Sequence, residues 1–429
     1  MAQEAQVDWF HSPLETRLDI LKKWVEKLSS QRQEAGEELT YQMGRPLSEA
    51  PSEIDAFAAR SLRVLELTPE ALARLDKRSE GALEHFVRPE ALGVVLVRAA
   101  WNYPYIIAAH SVVPALAVGN SVLLRYSNQT PLCGARLEEA FLAAGGPPGV
   151  LQALRIPRNL VQRLSEEESI AQVAVTGALP GEKVQRKTRR YVGRGLDLGG
   201  KDPAYVRFDA HLEGSAARLV KAAYSNAGQS CCGVERIYVQ QGIYSEFVEA
   251  LKSEVQSLKV GDPRELQTTL GPMVRFQSAR AVYDQVAQTI RQGATPLLPN
   301  LPPERAYFYP QILVDVNHSM SLMTEETFGP AVGVMKVESD EQAVELMNDS
   351  CYALGASVWT TDTQLGLNLV RKIKTSSCYV NHCDFLDPAI AFLGVNNSPR
   401  GFTLSHFGFQ MLTKARSYWV NQDPSKPAP

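Results

Sequence analysis

Cysteine is scarce in this chain: six among 429 residues, at positions 133, 231, 232, 351, 378 and 383, without the spacing of a disulfide framework. That argues against a small cross-linked secreted fold and fits a reducing cytoplasm. Cys378, His382 and Cys383 lie close together, but no second cluster completes a tetrahedral set, so no metal site is expected. No apolar run is long enough to span a bilayer. The opening Met1-Ala-Gln-Glu-Ala-Gln6 lacks the charged-then-apolar order of a signal peptide. Membrane attachment is therefore not expected. Charge of either sign is not in excess, the formal net charge being -3. The one basic run, Lys183 to Arg190, reads as a solvated helix face. No nucleic-acid partner is expected. No short repeat period is visible.

What is present is an ordinary globular composition, 45% hydrophobic and 21% charged. The length exceeds what one core fills, so two large domains are expected. Residues 12 to 75 read as helical, with Leu14, Leu18, Leu21, Trp24, Val25 and Leu28 at helical spacing and Gly44-Arg45-Pro46 as a break. Residues 80 to 98 alternate like strands. From Pro104 onward helices and strands alternate, with strands at 121–124, 170–176, 236–240, 332–335, 356–359 and 377–380. A helix and then a strand are expected around 196–206. This alternation predicts an α/β chain of two doubly wound lobes with a ligand cleft between them.

The segment Asn226-Ala-Gly-Gln-Ser-Cys-Cys232 stands between a helix-like run from Glu213 to Tyr224 and the strand-like 236–240. A thiol at a turn among small polar residues can be reached by a small electrophile, whereas a thiol inside an apolar element cannot. Cys231 is therefore the candidate nucleophile. Cys232 is read as packing inward, and His382 as a packed or surface histidine.

Four segments line up in order: Trp101-Asn-Tyr-Pro104, Leu196-Asp-Leu-Gly-Gly-Lys201, Gly228-Gln-Ser-Cys231 and Glu325-Glu-Thr-Phe-Gly-Pro330. With Asn348, Tyr352 to Trp359 and the C-terminal Phe407 to Val420, the chain resembles the aldehyde dehydrogenase superfamily over nearly its whole length. The resemblance implies two Rossmann-like lobes with an oligomerisation β-hairpin. It also implies oxidation of an aldehyde to a carboxylic acid with NAD or NADP. Cys231 would attack the carbonyl, Asn102 and the Cys231 N–H would hold the oxyanion, and a carboxylate would activate water against the thioester. Glu326 would hold the nicotinamide ribose and Phe328 would press on the ring. Gly199 and Gly200 would permit close backbone approach.

Several positions depart from the family pattern. The general-base position holds Asp197 in place of glutamate, one methylene shorter in reach. The strand that usually ends Lys-Pro-Ser-Glu ends Arg125-Tyr-Ser127-Asn128, which keeps a cation and loses an acid. A neutral Asn128 beside Arg125 should tolerate the 2′-phosphate of NADP. The phosphate-facing turn, Thr176-Gly177 through Pro180 to Gly181, is one residue short, and Pro180 removes a backbone donor. Leu393 and Pro399 replace glycines of the substrate wall, and Ser111 stands where many members carry lysine. The resemblance also implies a late start relative to typical members, so their N-terminal strands are not expected here.

The expected organisation is a coenzyme domain at 1–72 and 92–200, a catalytic domain at 201–400, and a C-terminal helix at 401–411. An oligomerisation segment at 73–91 and 412–422 completes it, its hairpin pairing with the C-terminal strand of a partner in a homodimer or homotetramer. Two alternatives share the fold: a binding or regulatory protein that has lost efficient redox chemistry, and a thiol-dependent reductase of acyl phosphates or thioesters.

Overall fold

In the computed structural model the described residues are 1–80, 82–177, 193–197, 199–392, 394, 401–423 and 425. Their strands, in chain order, are β1 Leu75–Glu80, β2 Leu83–Ala91, β3 Val94–Arg98, β4 Ser121–Arg125, β5 Leu151–Ala153, β6 Ile170–Thr176, β7 Gly193–Asp197 and β8 Asp202–Val206. Then follow β9 Val234–Gln240, β10 Thr295–Pro296, β11 Gln311–Val314, β12 Ala331–Val337, β13 Gly355–Trp359, β14 Ser377–Val380 and β15 Thr413–Asn421.

They form a five-stranded sheet ordered β5-β4-β3-β6-β7, a seven-stranded sheet ordered β10-β11-β12-β9-β8-β13-β14, and a three-stranded sheet ordered β1-β2-β15. The first is parallel throughout, and the second is parallel apart from β10. Strands covered on both faces have no polar side to present, and this explains the unbroken apolar runs Val94-Val-Leu-Val97 and Val122-Leu-Leu124. The two-lobed α/β expectation is met.

Each parallel sheet has its own core. The helix Pro104–Ala117 starts on proline, whose missing N–H costs nothing at that position, and is apolar all round because it lies inside. The helix Ser52–Ala71 packs on it, and Trp24 sets its edge against Phe57 and Phe141 at 5.7 Å each.

Some sequence expectations change. The region 12–75 is helical with the expected break, Gly44 at φ 82° ending a helix, but its first part is two helices, Leu14–Ser30 and Arg32–Met43, before Ser52–Ala71. An unforeseen helix, Ala2–His11, precedes them and docks through Trp9, whose Nε1 donates to Leu116 O at 2.8 Å. Its weak periodicity hid it. Around 196–206 the structure has β7 and β8, two strands in different sheets, and the chain crosses between the lobes at Gly199–Lys201. Five-residue strands are too short to declare their period. Finally, β15 pairs with β2 of the same chain, from Thr413↔Ala91 to Asn421↔Leu83, rather than with a partner. Partner pairing is unnecessary there because the chain returns to cover that edge itself, leaving the far edge of β15 outermost.

Candidate active site

The thiol loop is built by left-handed backbone. After the helix Leu212–Tyr224, Asn226 (φ 55°, ψ 33°), Ala227 (φ 54°, ψ 37°) and Gly228 (φ 69°) follow one another. Each non-glycine residue there costs about 1–2 kcal/mol, so the surroundings must hold the turn. Asn226 Nδ2 donates to Asn102 O at 3.0 Å, and Gln229 Nε2 donates to Asn226 O at 2.9 Å. Gln229 Oε1 accepts from Val274 N at 2.9 Å. A Cβ on Gly228 would lie 2.3 Å from Gly329 O, so only glycine lets the two loops touch. The result leaves Cys231 partly exposed and turns Cys232 inward against Leu354, Phe392 and Leu404. Hydrogen bonding to Cys231, together with burial, pushes the Cys232 thiol well above its usual range.

Cys231 stands where two cavities meet. One is about 280 Å³ and the other about 160 Å³, and Asn102, Thr176 and Cys231 line both. The larger opens on the carboxyl ends of β3, β4 and β6. Chain order reverses between β3 and β6, so this is the topological switch point where α/β sheets bind ligands. Arg125, Ser127, Thr176 and Gly177 line it from the five-stranded lobe, and Gly199, Glu326 and Phe328 from across the cleft.

The fit of a dinucleotide rests on that wall. A Cβ on Gly199 would meet Glu326 Oε1 at 2.1 Å, and the same oxygen accepts from Gly200 N at 3.2 Å. Burial, reinforced by the charge of Glu235, pushes the Glu326 carboxyl up to about 7. Glu235 itself is buried and fastens the loop, accepting from Thr327 N at 2.8 Å, Phe328 N at 2.9 Å and Lys201 Nζ at 2.7 Å. Phe328 is held at φ 48° with its ring edge-on to Trp101 at 5.8 Å. These residues suit a nucleotide: small backbone under a flat group, an acceptor for hydroxyls, and a cation at a strand end.

Three expected residues stand apart from that grouping. Asn128 is exposed beside the wall rather than in it, its Oδ1 accepting from Arg125 Nη2 at 3.4 Å. Gly181, with Pro180, lies outside the described residues. Asp197 ends β7 opposite Thr176, so its backbone reaches the cleft, while its side chain lies outside the described residues. Leu393 and Pro399 also lie outside them. Ser111 is buried.

Asn102 is buried and donates from Nδ2 to Gln229 O at 3.2 Å. Its amide has a second N–H to offer. The Asn102 carbonyl accepts from Arg45 Nη2 at 2.6 Å, and Arg45 forms a buried ion pair with Glu53. Glu53 Oε1 in turn accepts from Tyr105 N at 2.8 Å. Sequence reading passed over this pair because Gly44-Arg45-Pro46 registered only as a helix stop. It also missed Arg98 and Arg275 in the larger cavity, and Arg60, His110 and Asp384 in the smaller. None of these sits in a motif. Among the described residues no helix is long and apolar enough to cross a membrane.

Comparison with known proteins finds relatives along nearly the whole chain. The family model described as Aldehyde dehydrogenase family matches residues 1–418. A succinate semialdehyde dehydrogenase [NAD(P)+] of Escherichia coli strain K12 is 30% identical, covering 97% of this chain and 90% of its own length. A 3-sulfolactaldehyde dehydrogenase of Priestia megaterium is 31% identical, over 96% of this chain and 87% of its own. Among solved structures, an NADP-dependent glyceraldehyde-3-phosphate dehydrogenase from Bacillus halodurans complexed with NADP superposes with TM-score 0.94. It is 28% identical, over 98% of this chain and 90% of that one. These likenesses support oxidation with NAD or NADP and lend no support to the binding-protein or acyl-reductase alternatives. With nearly its full length matched, and a thiol at the junction of a switch-point cleft and a second pocket, this chain belongs to the aldehyde dehydrogenase family and is an NAD(P)-dependent oxidoreductase.

Proposed function

We propose that Cys231 is the nucleophile of this oxidation, with Asn102 as its oxyanion donor and Asp197 as the base that releases the acid. The observation that supports this most directly is the shared boundary of the two cavities: Cys231, Asn102 and Thr176 face both. A thiol so placed can meet an aldehyde from one side while a hydride acceptor waits on the other.

The thiolate adds to the carbonyl carbon, a C–S bond forming as the C=O π pair moves onto oxygen. The second N–H of Asn102 and the Cys231 backbone N–H hold that oxyanion. Bound NAD or NADP supplies the hydride acceptor. Arg125, Ser127, Thr176, Gly177 and Gly199 are the residues that would cradle it, with Glu326 accepting from ribose hydroxyls and Phe328 at the ring. Gly181 and Asn128 join this set on the family pattern alone. The acyl group left on sulfur is a thioester. Asp197 takes a proton from water, the hydroxide attacks, and the thiol leaves with the carboxylic acid released.

Cys231→Ala is expected to lower aldehyde oxidation by about a thousandfold or more while nucleotide titration, followed by tryptophan fluorescence, still shows binding. Persisting turnover in that variant sinks the assignment.

We further infer a homodimer or homotetramer in the cytoplasm. The outer edge of β15 carries Trp419 at 69% exposure and Val420 at 40%, an apolar edge of the kind that proteins cover. All six cysteines are unpaired, as a reducing compartment requires. Light scattering on the eluting protein measures the assembly, and a monomer at micromolar concentration contradicts it.

A further inference from the structure

The smaller cavity, on the far side of Cys231 from the nucleotide cleft, is walled mostly by apolar side chains, among them Ile106, Ile107, Leu386 and Phe392. Among its described lining residues there is one cation, Arg60, which reaches it from the helix Ser52–Ala71. Its guanidinium meets only backbone carbonyls: Nη2 donates to Leu386 O at 3.2 Å and Nη1 to Ala56 O at 3.5 Å. Nε is buried without a partner. No carboxylate of the described residues forms an ion pair with it. A guanidinium does not escape its charge by deprotonating, so its partial burial leaves a cation without a contacting counterion, favoured only from farther off by Glu53, Asp384 and Asp387.

The other titratable groups facing this cavity leave that charge standing. His110, from the helix Pro104–Ala117, is 8% exposed, and its Nε2 is buried without a partner. Burial, and then the charge of Arg60, push it down to about 3, so the ring is neutral. Asp384 accepts from the Cys232 thiol at 2.9 Å. Desolvation, together with Cys232, pushes that carboxyl well above its usual range, and its hydrogen bond is with Cys232 and not with Arg60. Tyr103, whose hydroxyl burial pushes well above its usual range, Cys231 and Cys232 complete the set. The pocket therefore has an electrophile's partner at its mouth, apolar walls, and a cation with an open donor beside a second unsatisfied nitrogen.

We propose that Arg60, aided by His110, binds a carboxylate at the far end of the substrate, so that the preferred aldehydes are short-chain aldehyde acids rather than neutral alkanals. The proposal rests on Cys231 being the nucleophile that faces this cavity. A ligand carboxylate supplies the missing counterion, and a charge-assisted, two-pronged contact favours planar anions. A neutral aldehyde of equal length leaves Arg60 and His110 unsatisfied, and such a buried mismatch discriminates strongly.

The test compares 4-oxobutanoate with butanal and 5-oxopentanoate with pentanal, in the intact protein and in Arg60→Met and Arg60→Lys. Wild type is expected to prefer the acid in at least one pair, by about a hundredfold in kcat/KM. In Arg60→Met that preference collapses by a similar factor, chiefly through a higher KM for the acid, and Arg60→Lys restores part of it. Equal use of acid and alkanal by wild type overturns the proposal. So does an Arg60→Met variant that slows both alike and keeps the ratio, which marks a merely structural residue.

A second readout needs no turnover. Succinate should slow alkylation of Cys231 by iodoacetamide, read by peptide mass, in wild type and not in Arg60→Met. If no aldehyde yields reduced nucleotide but succinate still protects through Arg60, the oxidation reading fails and the anion site stands. If aldehydes are oxidised but neither the ratio nor the protection depends on Arg60, the reverse holds.

Discussion

The two cavities that meet at Cys231 are built by different means. The nucleotide side is made of backbone: carboxyl ends of β3, β4 and β6, Gly177 at φ 129°, and Gly199 under the Glu326 carboxylate. The far side is made of side chains from two helices and a loop, Arg60 from one helix, Ile107 and His110 from the other and Asp384 from far along the chain. The difference follows from what each side must recognise. A dinucleotide is common to the family, and its cradle needs close backbone approach that tolerates few residue types. The aldehyde varies: the relatives are named for succinate semialdehyde and for 3-sulfolactaldehyde. A wall of helix-borne side chains can change without disturbing the fold.

The comparison can be broken most severely at Glu235, which ties the nucleotide wall to the buried Lys201. Removing it leaves a buried ammonium unpaired and frees the N–H groups of Thr327 and Phe328. Glu235→Ala is expected to cost about 3–5 kcal/mol of stability, measured by urea unfolding. A loss under about 1 kcal/mol would show that the wall does not depend on this pair.

A narrower cut is Gly199→Ala, whose Cβ would collide with the Glu326 carboxylate. Nucleotide affinity should fall about tenfold, or ~1.4 kcal/mol, while hydrolysis of an activated ester by Cys231, which needs no nucleotide, persists. If both activities fall together, the two cavities are not separable. Asn128→Glu restores an acid beside Arg125 and should shift the kcat/KM ratio toward NAD and away from NADP by about tenfold, through repulsion of the 2′-phosphate. An unchanged ratio means that position 128, which lies outside the cavity wall, does not reach the ribose.

The smallest expected effect is a pH dependence. The Glu326 carboxyl titrates near 7, raised by burial. Ribose hydroxyls donate, so they prefer the ionised acceptor. Nucleotide affinity should therefore rise as pH passes upward through 7, by at most about tenfold between pH 6 and 8. Glu326→Gln should flatten the profile. A dependence of opposite sign would show that the neutral acid is the binding form.

Legibility followed the same divide as the two walls. Asn102, Cys231, Glu326 and Phe328, which line one cavity, stand out in the sequence because each sits in a short motif whose neighbours are also constrained. Buried parallel strands announced themselves as apolar runs, as at Val94 to Val97. Arg45 and Glu53, which hold the Asn102 loop, carry no local mark: one lies in the Gly44-Arg45-Pro46 break and the other in the first turn of a helix. Helix Ala2–His11 escaped because it has little apolar stripe and docks largely through Trp9. The pairing of β15 with β2 joins segments more than 300 residues apart in the chain, and no local pattern encodes which of two copies supplies the strand.

The sequence by itself determined the α/β alternation, the family and the thiol, because these rest on residue order and on short runs whose chemistry is local. Only the tertiary structure decided what surrounds that thiol. It placed the switch-point ends of one sheet against the loops of another, and it brought Arg60 to the far wall in the same cavity as Asp384. The physical reason is burial. Whether a cation is paired or open, or a carboxyl charged or neutral, depends on neighbours that chain order does not name and only packing supplies.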